Sequence, residues 1–324
     1  MAAFTQLEDR DVRALAAKFH LGAVRDWAPI AAGTVNSNFR IDTARGRFFL
    51  RINEGKTEAD VRYEADLVDA LAAAGVPTPR PLRAGGRPYA RHGNQFASAF
   101  AWVQGVHRCQ AGVTPEDAYR VGAALGRLHR AGAPLAARFD RPGIYTYAHI
   151  CDRVAAIRAV GAPELADAEA MLADEIAWLD DRADVRAAAP RGVIHGDLFR
   201  DNVLWDGRDL AALLDFEQAC TGSLTYDLAV AINAWCYGDT FSPALIAAVV
   251  AGYHRERPLT AADRDALYVE CRAAAMRFAV TRITDIHLRD TTATKDFRRY
   301  LERLARWRSL GRSGLARQAG LDLL

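Results

Sequence analysis

The stretch between residues 193 and 217 constrains the fold of this 324-residue chain more than any other part of it. It contains the pattern H-x-D-x-x-x-x-N, formed by His195, Asp197 and Asn202, and then two apolar runs separated by Asp-Gly. Asp-Gly between apolar runs is typical of a tight β-hairpin turn. The second run ends at Asp215, so the sequence predicts that two acids and an amide belong to one strand, loop and hairpin.

The residue types in this pattern fit the transfer of a phosphoryl group to a hydroxyl. That chemistry needs a carboxylate to accept the hydroxyl proton and oxygen ligands to hold Mg²⁺ across the phosphates. Asp197 is the candidate base, and Asn202 and Asp215 are the candidate metal ligands. His195 is expected to orient the loop backbone. Each motif alone is compatible with ordinary turn residues, whereas the two together match a kinase catalytic loop and its metal-binding aspartate.

The hydrophobic pattern predicts two lobes of different composition. Residues 24–103 contain short apolar runs typical of strands, interrupted by one helical pattern over 58–74. Later residues are mostly helical in pattern, apart from a short β region around 193–214. We therefore predict an α+β chain with a lobe of residues 1–104 and a larger, mainly helical lobe of residues 105–324, which contains the catalytic loop and the acceptor site. Ligands often bind in the cleft between such lobes.

The first lobe is then expected to hold the nucleotide. A loop at residues 32–39 lies between two strand candidates, so its backbone N–H groups could bind phosphates, although its single glycine equally fits a hairpin turn. Arg51 stands on the next strand, where lysine is usual, and its guanidinium can donate two hydrogen bonds to a phosphate. Glu64, early in the following helix, would pair with Arg51; exposed positions on a strand and a helix are the alternatives. The predicted nucleotide-binding residues are Gly33, Asn36, Asn38, Arg51, Glu64 and Trp102.

Two further motifs match nucleotide-binding patterns only in part. The Gly-Lys-Thr sequence at 55–57 resembles the end of a Walker A loop, but the glycine required five residues earlier is Leu50. The Ala-Pro-Glu sequence at 162–164 precedes the catalytic loop, whereas a protein kinase has it after the metal-binding aspartate. The short link after Asp215 leaves no room for an activation segment, which favours a small-molecule acceptor.

Composition excludes several other classes of protein. Hydrophobic residues make up 51% and charged residues 25% of the chain, and the net charge of +2 does not indicate a nucleic acid partner. The five cysteines are scattered without a C-x-x-C pair, which argues against a zinc site or a disulfide framework. The N-terminus has acids where a signal peptide needs an apolar run, and Thr5 with Glu8 predicts a capping box for the first helix. No apolar run is long enough to cross a membrane, so we expect a cytoplasmic protein.

The motifs together resemble the superfamily of aminoglycoside phosphotransferases and choline kinases. H-G-D-x-x-x-x-N at 195–202, D-F-E at 215–217 and Y-D-L-A at 226–229 match it, and the segment 33–39 adds a closer similarity to its bacterial homoserine kinases. The resemblance implies a two-lobed, protein-kinase-like fold whose N-lobe is an antiparallel sheet with a helix. It also implies ATP and Mg²⁺ as cofactors, L-homoserine as the acceptor and O-phospho-L-homoserine, on the route to threonine, as the product. The chain departs from these kinases at Gly196, where they often have alanine.

The resemblance also implies roles for residues outside the catalytic loop. Asp227, at the start of the Y-D-L-A helix, would support that loop rather than contact the substrate. Homoserine has a carboxylate and an ammonium group, so its site needs a cation and an anion close together. Arg277 and Arg282 are candidates for binding the carboxylate and Trp235 for lining the acceptor pocket, with an exposed helix face and core packing as the alternatives.

Two other functions remain open from the sequence alone. A kinase for an aminoglycoside, choline or another amino alcohol would have the same fold and catalytic residues but a different acceptor pocket. A nucleotide-binding pseudokinase would act as an interaction module. Asp197, Asn202 and Asp215 are all present, which argues against the pseudokinase.

Overall fold

The computed structural model describes residues 5–31, 36–289 and 295–321. The chain divides into two compact units: the first comprises Met1–Val106 and Leu204–Glu217, and the second comprises His107–Val203 and Gln218–Leu324. The hairpin that follows the catalytic loop in sequence therefore belongs to the first unit. The assignment of nucleotide binding to residues 1–104 and of acceptor binding to residues 105–324 stays a prediction.

The first part of the chain is mostly strand and the rest is mostly helix, as the hydrophobic pattern predicts. In chain order the elements are α1 (Asp9–Lys18), β1 (Val24–Ile30), β2 (Ser37–Thr43), β3 (Gly46–Asn53), α2 (Glu58–Ala73), β4 (Ala90–His92), β5 (Gln95–Ala101), α3 (Pro115–Gly132), α4 (Tyr147–Val160), α5 (Ala166–Asp180), α6 (Ala183–Ala188), β6 (Arg191–Ile194), β7 (Val203–Asp206), β8 (Asp209–Leu213), β9 (Cys220–Ser223), α7 (Leu224–Trp235), α8 (Pro243–Glu256), α9 (Ala261–Arg282) and α10 (Arg298–Ala319).

The first unit is built on a five-stranded antiparallel sheet, which confirms the predicted sheet with a helix. Its strand order is β1-β2-β3-β5-β4. Strand β2 alternates in burial, and its inward side chains Phe39 and Ile41 pack with Leu50 and Ile52 of β3 and with helix α1. Because side chains of a strand point alternately to opposite faces, the same alternation places Arg51 on the other face of β3 from Leu50. The hairpin β7–β8 joins this unit through the hydrogen bond from the Leu213 backbone N–H to a carbonyl oxygen of the segment after α2.

The predicted capping box of Thr5 and Glu8 is wrong by one turn. Glu8 is itself the N-cap of α1, and its reciprocal partner is Asp11. Thr5 instead donates its backbone N–H to the side chains of Ser37 and Glu54, each at 2.9 Å. These bonds link distant parts of the chain, so tertiary contacts outweigh the local signal at this position.

The second unit is mainly helical, and β6 and β9 form a two-stranded antiparallel ribbon. A strand was predicted for the segment before the catalytic loop, whereas β9 was not predicted. The backbones of helices α3 and α8 come into close contact where the helices cross, because both have glycine at the crossing. A Cβ atom added to Gly252 would lie 2.0 Å from the backbone oxygen of Tyr119, and one added to Gly122 would lie 2.0 Å from that of Val249. This crossing brings the next residue of α8, Tyr253, to the C-terminal half of α3.

The helices in the described ranges include none that is both long enough and apolar enough to cross a membrane.

Candidate active site

The predicted catalytic loop begins where β6 ends at Ile194. His195 is completely buried, and its ring nitrogen Nδ1 accepts a hydrogen bond of 3.3 Å from the backbone N–H of Asp197. The chain then turns at Gly196, which has a φ of +76°. A Cβ atom at Gly196 would also lie 3.2 Å from the backbone oxygen of Gln218. Glycine at this position therefore suits the loop as it is folded here, which gives a physical reason for the departure from alanine.

Asp227, at the start of α7, holds the backbone of this loop. Its two carboxylate oxygens accept hydrogen bonds from the backbone N–H groups of His195 and Gly196, at 2.7 and 2.8 Å. His129 of α3 lies 2.9 Å from the same carboxylate, and its other ring nitrogen lies 2.7 Å from the hydroxyl of Tyr253. These are the contacts that the predicted supporting role of Asp227 requires; the role itself stays a prediction.

The environment of Asp227 keeps its carboxylate charged. Complete burial alone would raise its pKa, but the hydrogen bond and charge of His129 and the contacts with His195 outweigh burial and hold the pKa below its ordinary value of 3.8. His129 was not identified from the sequence, because a single histidine on an apolar helix face has no motif that separates it from a core residue.

Replacing Asp227 by alanine is expected to lower the free energy of unfolding by about 3–5 kcal/mol, because two buried backbone N–H groups and His129 lose their acceptor. Urea denaturation measures this. Asp174→Ala, at an exposed position on α5, is the control and should change stability by less than about 0.5 kcal/mol. Since the folded-state pKa of Asp227 is lowered, its contribution is present above pH 3.8 and is lost as the pH falls further, so the two proteins should converge in acid. A loss below about 1 kcal/mol at pH 7 would contradict the supporting role.

Asp197 and Asn202 are fixed relative to each other within the loop. The side-chain nitrogen of Asn202 donates a 2.8 Å hydrogen bond to the backbone oxygen of Asp197. Because a carbonyl can only accept, this bond identifies the nitrogen of the amide and leaves its oxygen for another partner. The side chain of Asp197 is 23% exposed, so it is accessible to a substrate.

Arg277, one of the three predicted acceptor-binding residues, lies beside the predicted base. It is 5% exposed, and its Nη1 is 3.6 Å from Oδ1 of Asp197. Its Nη2 donates to the side-chain oxygen of Gln218. Trp235 is completely buried and donates its indole N–H to the backbone oxygen of Leu198 at 3.0 Å, which favours the packing alternative. Arg282 is half-buried at the C-terminal end of α9.

In the first unit the predicted pair of Arg51 and Glu64 is present, with Nη1 and Oε1 3.0 Å apart. The same nitrogen lies 3.6 Å from Oδ1 of Asp215, so the predicted metal ligand borders this pair. Burial alone would lower the pKa of Arg51, but the carboxylates of Asp215, Glu64 and Glu217 raise it above its ordinary value. The guanidinium therefore stays charged although it is buried.

Lys56 is the most informative residue that sequence reasoning missed. Its ammonium lies 2.9 Å from Oε2 of Glu217 and 3.4 Å from Oε2 of Glu64. Asn36 donates to the same oxygen of Glu217 at 3.0 Å. Two cations and three carboxylates thus form one network around Glu64. The sequence signal for this residue is the rarity of lysine, which occurs at only three positions of the chain, but Lys56 also belongs to an incomplete Walker A pattern that predicts no such contact.

Asp215 has the features of a cation ligand. Its φ of +62° lies in the left-handed region, which is uncommon for residues other than glycine and concentrates at functional sites. Its buried Oδ1 makes no hydrogen bond within the described residues. No group of three or more His, Cys, Asp or Glu side chains in those residues forms a ready-made metal site. Mg²⁺ typically uses one or two carboxylates together with substrate phosphates, so the donor set fits Mg²⁺ held with a nucleotide.

Two other predicted nucleotide-binding residues lie on or next to strands of the sheet. Asn38 is half-buried on β2, directly opposite Arg51 of β3 in the strand register. Trp102 is half-buried after β5, and the guanidinium carbon of Arg47 lies 5.6 Å from its ring centroid. Gly33 lies outside the described residues. Their binding of a nucleotide stays a prediction.

The antiparallel sheet, the helical unit and the H-x-D-x-x-x-x-N loop define a small-molecule kinase with a protein-kinase-like fold. Residues 26–264 match the family model described as the phosphotransferase enzyme family, and the chain belongs to this family. A solved structure supports the fold: spectinomycin phosphotransferase, in complex with ADP and spectinomycin, superimposes with a TM-score of 0.69 at 13% identity, covering 99% of this chain and 100% of that one.

Relatives of known name are similar over most of their length. A homoserine kinase of Beijerinckia indica is 36% identical over 293 residues, which cover 88% of each chain. A homoserine kinase of Methylocella silvestris is 34% identical over 327 residues, which cover 99% of each chain. The resemblance described from the motifs is therefore confirmed at the level of the family.

Proposed function

We propose that this kinase transfers the γ-phosphoryl group of ATP to the hydroxyl of L-homoserine, giving O-phospho-L-homoserine for threonine biosynthesis in the cytoplasm. The observation that most supports this acceptor is the 34–36% identity, over most of the chain, to relatives named homoserine kinase. The presence of Asp197, Asn202 and Asp215 supports catalysis over a purely nucleotide-binding function.

Asp197 is the proposed general base. Its carboxylate is partly exposed, and the loop backbone that positions it is fixed by Asp227 and by the amide of Asn202. Accepting the hydroxyl proton makes the acceptor oxygen a better nucleophile as it attacks the γ-phosphorus. Asn202 and Asp215 are the proposed oxygen ligands of Mg²⁺, which neutralises negative charge on the phosphates.

Arg51 is the proposed phosphate ligand of the first unit. Glu64 bonds Nη1 of its guanidinium, and the remaining N–H groups of a planar guanidinium can donate to an anion. Lys56 shares Glu64 with Arg51, so a second cation is available in the same network. The three carboxylates around these two cations leave a net charge of −1, which the Mg²⁺ complex of a nucleotide would tolerate better than a free nucleotide.

The test is coupled ADP release with Mg-ATP over an acceptor panel of L-homoserine, D-homoserine, L-serine, L-threonine, choline and kanamycin. We expect turnover that is selective for L-homoserine, at about 1–100 s⁻¹ as for typical kinases. Faster turnover of another acceptor would contradict the assignment of L-homoserine as the acceptor, but the protein would still be a small-molecule kinase. ATP binding without turnover of any acceptor would favour the pseudokinase.

A further inference from the structure

Among the described residues of the second unit, two arginines near the catalytic loop, one buried and one half-buried, have no acidic partner. Arg282 of α9 and Arg303 of α10 both stack on the ring of Tyr300, each with its guanidinium carbon 4.5 Å from the ring centroid. Their hydrogen bonds go to backbone carbonyl oxygens. Within the described residues, no carboxylate lies within 4.0 Å of either guanidinium. We call Arg282, Arg303 and Tyr300 the arginine–tyrosine cluster.

Arg272, another buried arginine of this unit, differs in having an acid. Arg272 makes two hydrogen bonds to Glu175, at 2.7 and 2.6 Å, and although burial opposes its charge these contacts raise its pKa. In the cluster, burial lowers the pKa of Arg303 to about 10 and also lowers that of Arg282. A buried charge is costly unless it is paired, so, counted over the described residues, the cluster has the charge balance of a site that binds an anion.

The hydroxyl of Tyr300 is a second, independent sign of a missing ligand. Tyr300 is 1% exposed, and its hydroxyl has no hydrogen-bond partner within the described residues. Buried polar groups are rarely left without a partner. The hydroxyl belongs to the ring that both guanidinium groups contact, and it can donate a hydrogen bond to an anion bound at the cluster.

The cluster adjoins the predicted base. The ring of Tyr300 packs against Phe278 and Phe199, with centroids 5.1 and 6.4 Å apart, and Phe199 follows Asp197 by two residues. The charge of Asp197 also affects the pKa of both Arg282 and Tyr300. A ligand in the cluster would therefore lie beside the acceptor hydroxyl.

We propose that the arginine–tyrosine cluster is the subsite that binds the α-carboxylate of an amino acid acceptor. The inference rests on the proposed function, because it assigns one group of the homoserine molecule to one part of the site. Arg282 is half-buried and would bond the ligand directly, whereas two backbone carbonyl oxygens hold the guanidinium of Arg303, which would contribute its positive charge. The same charges would repel a polycationic antibiotic.

The test compares L-homoserine with 3-amino-1-propanol, which has the same hydroxyl and ammonium groups but no carboxylate. In Arg282→Gln we expect kcat/KM for L-homoserine to fall roughly 10- to 100-fold, as for loss of one charged hydrogen bond. The value for 3-amino-1-propanol and the KM for ATP should stay within about twofold, which is small beside that loss. Arg306→Gln, at an exposed arginine of α10, the helix that carries Tyr300 and Arg303, is the control and should leave all three values unchanged. Tyr300→Phe removes only the hydroxyl, which has no hydrogen-bond partner in the described residues, and should lower kcat/KM for L-homoserine but not for 3-amino-1-propanol.

Equal losses for the two acceptors in Arg282→Gln, or no loss, would overturn the subsite, and a raised KM for ATP would assign the cluster to nucleotide phosphates instead. Binding separates these results from failure of the proposed function. The anion 4-hydroxybutanoate should raise the Tm of the wild-type protein and not that of Arg282→Gln, whether or not homoserine is turned over. Absence of a shift in the wild type, or an equal shift in both proteins, would contradict the subsite.

Discussion

Asp197→Asn is expected to lower kcat by roughly 10²- to 10⁴-fold, which is the usual contribution of a general base. Asparagine is nearly isosteric with aspartate but cannot accept the hydroxyl proton. The loop should keep its conformation, because Asn202 bonds to the backbone oxygen of residue 197 and Asp227 bonds to the two preceding N–H groups. Steady-state kinetics with the best acceptor measures the effect, and nucleotide titration shows that ATP still binds.

A matched control lies in the same loop. Asp201 is exposed and precedes Asn202, so Asp201→Asn makes the same chemical change without touching the predicted base. We expect the control to keep kcat within about threefold, well short of the loss for a general base. If Asp197→Asn retained near-wild-type kcat, the assignment of the base would be wrong whatever the acceptor.

The parts of the site that could be predicted from the sequence are those fixed by short stretches of chain. The loop from His195 to Asn202 and the β7–β8 hairpin are short and have strong turn signals. The spacing of their residues in the sequence therefore nearly determines how the side chains are placed. The contact of Asp227 with the loop was expected only from the family motif. Neither hydrophobic periodicity nor secondary-structure propensity predicts a contact of residue 227 with residues 195 and 196.

Partners far apart in sequence could not be predicted, because their contact depends on the whole fold. Lys56 meets Glu217 across 161 residues, and His129 meets Asp227 across 98. Thr5 shows the converse, since its local capping signal is outweighed by bonds to Ser37 and Glu54. Only one member of the arginine–tyrosine cluster, Arg282, was a candidate from the sequence. Its contact with Tyr300 of α10 depends on how the two helices pack.

Asp215→Ala is expected to reduce turnover to below about 0.1% of wild type, since a bound metal contributes several kcal/mol to the phosphoryl-transfer transition state. The substitution removes the carboxylate whose Oδ1 is buried without a hydrogen bond in the described residues. Initial rates measured against Mg²⁺ concentration check the prediction. Asp209→Ala, an exposed change in the same hairpin, should keep the wild-type Mg²⁺ dependence.

A second substitution separates loss of the metal ligand from backbone strain. Residue 215 has a φ of +62°, where alanine costs roughly 1–2 kcal/mol but asparagine is well tolerated. Asp215→Asn should therefore retain wild-type thermal stability while losing charge opposite Arg51, and its turnover should still fall at least about 100-fold, more than strain alone explains. If Asp215→Asn turned over normally and only Asp215→Ala failed, the residue would be structural. If neither variant altered the dependence of nucleotide affinity on Mg²⁺, Asp215 would not be a ligand of the metal.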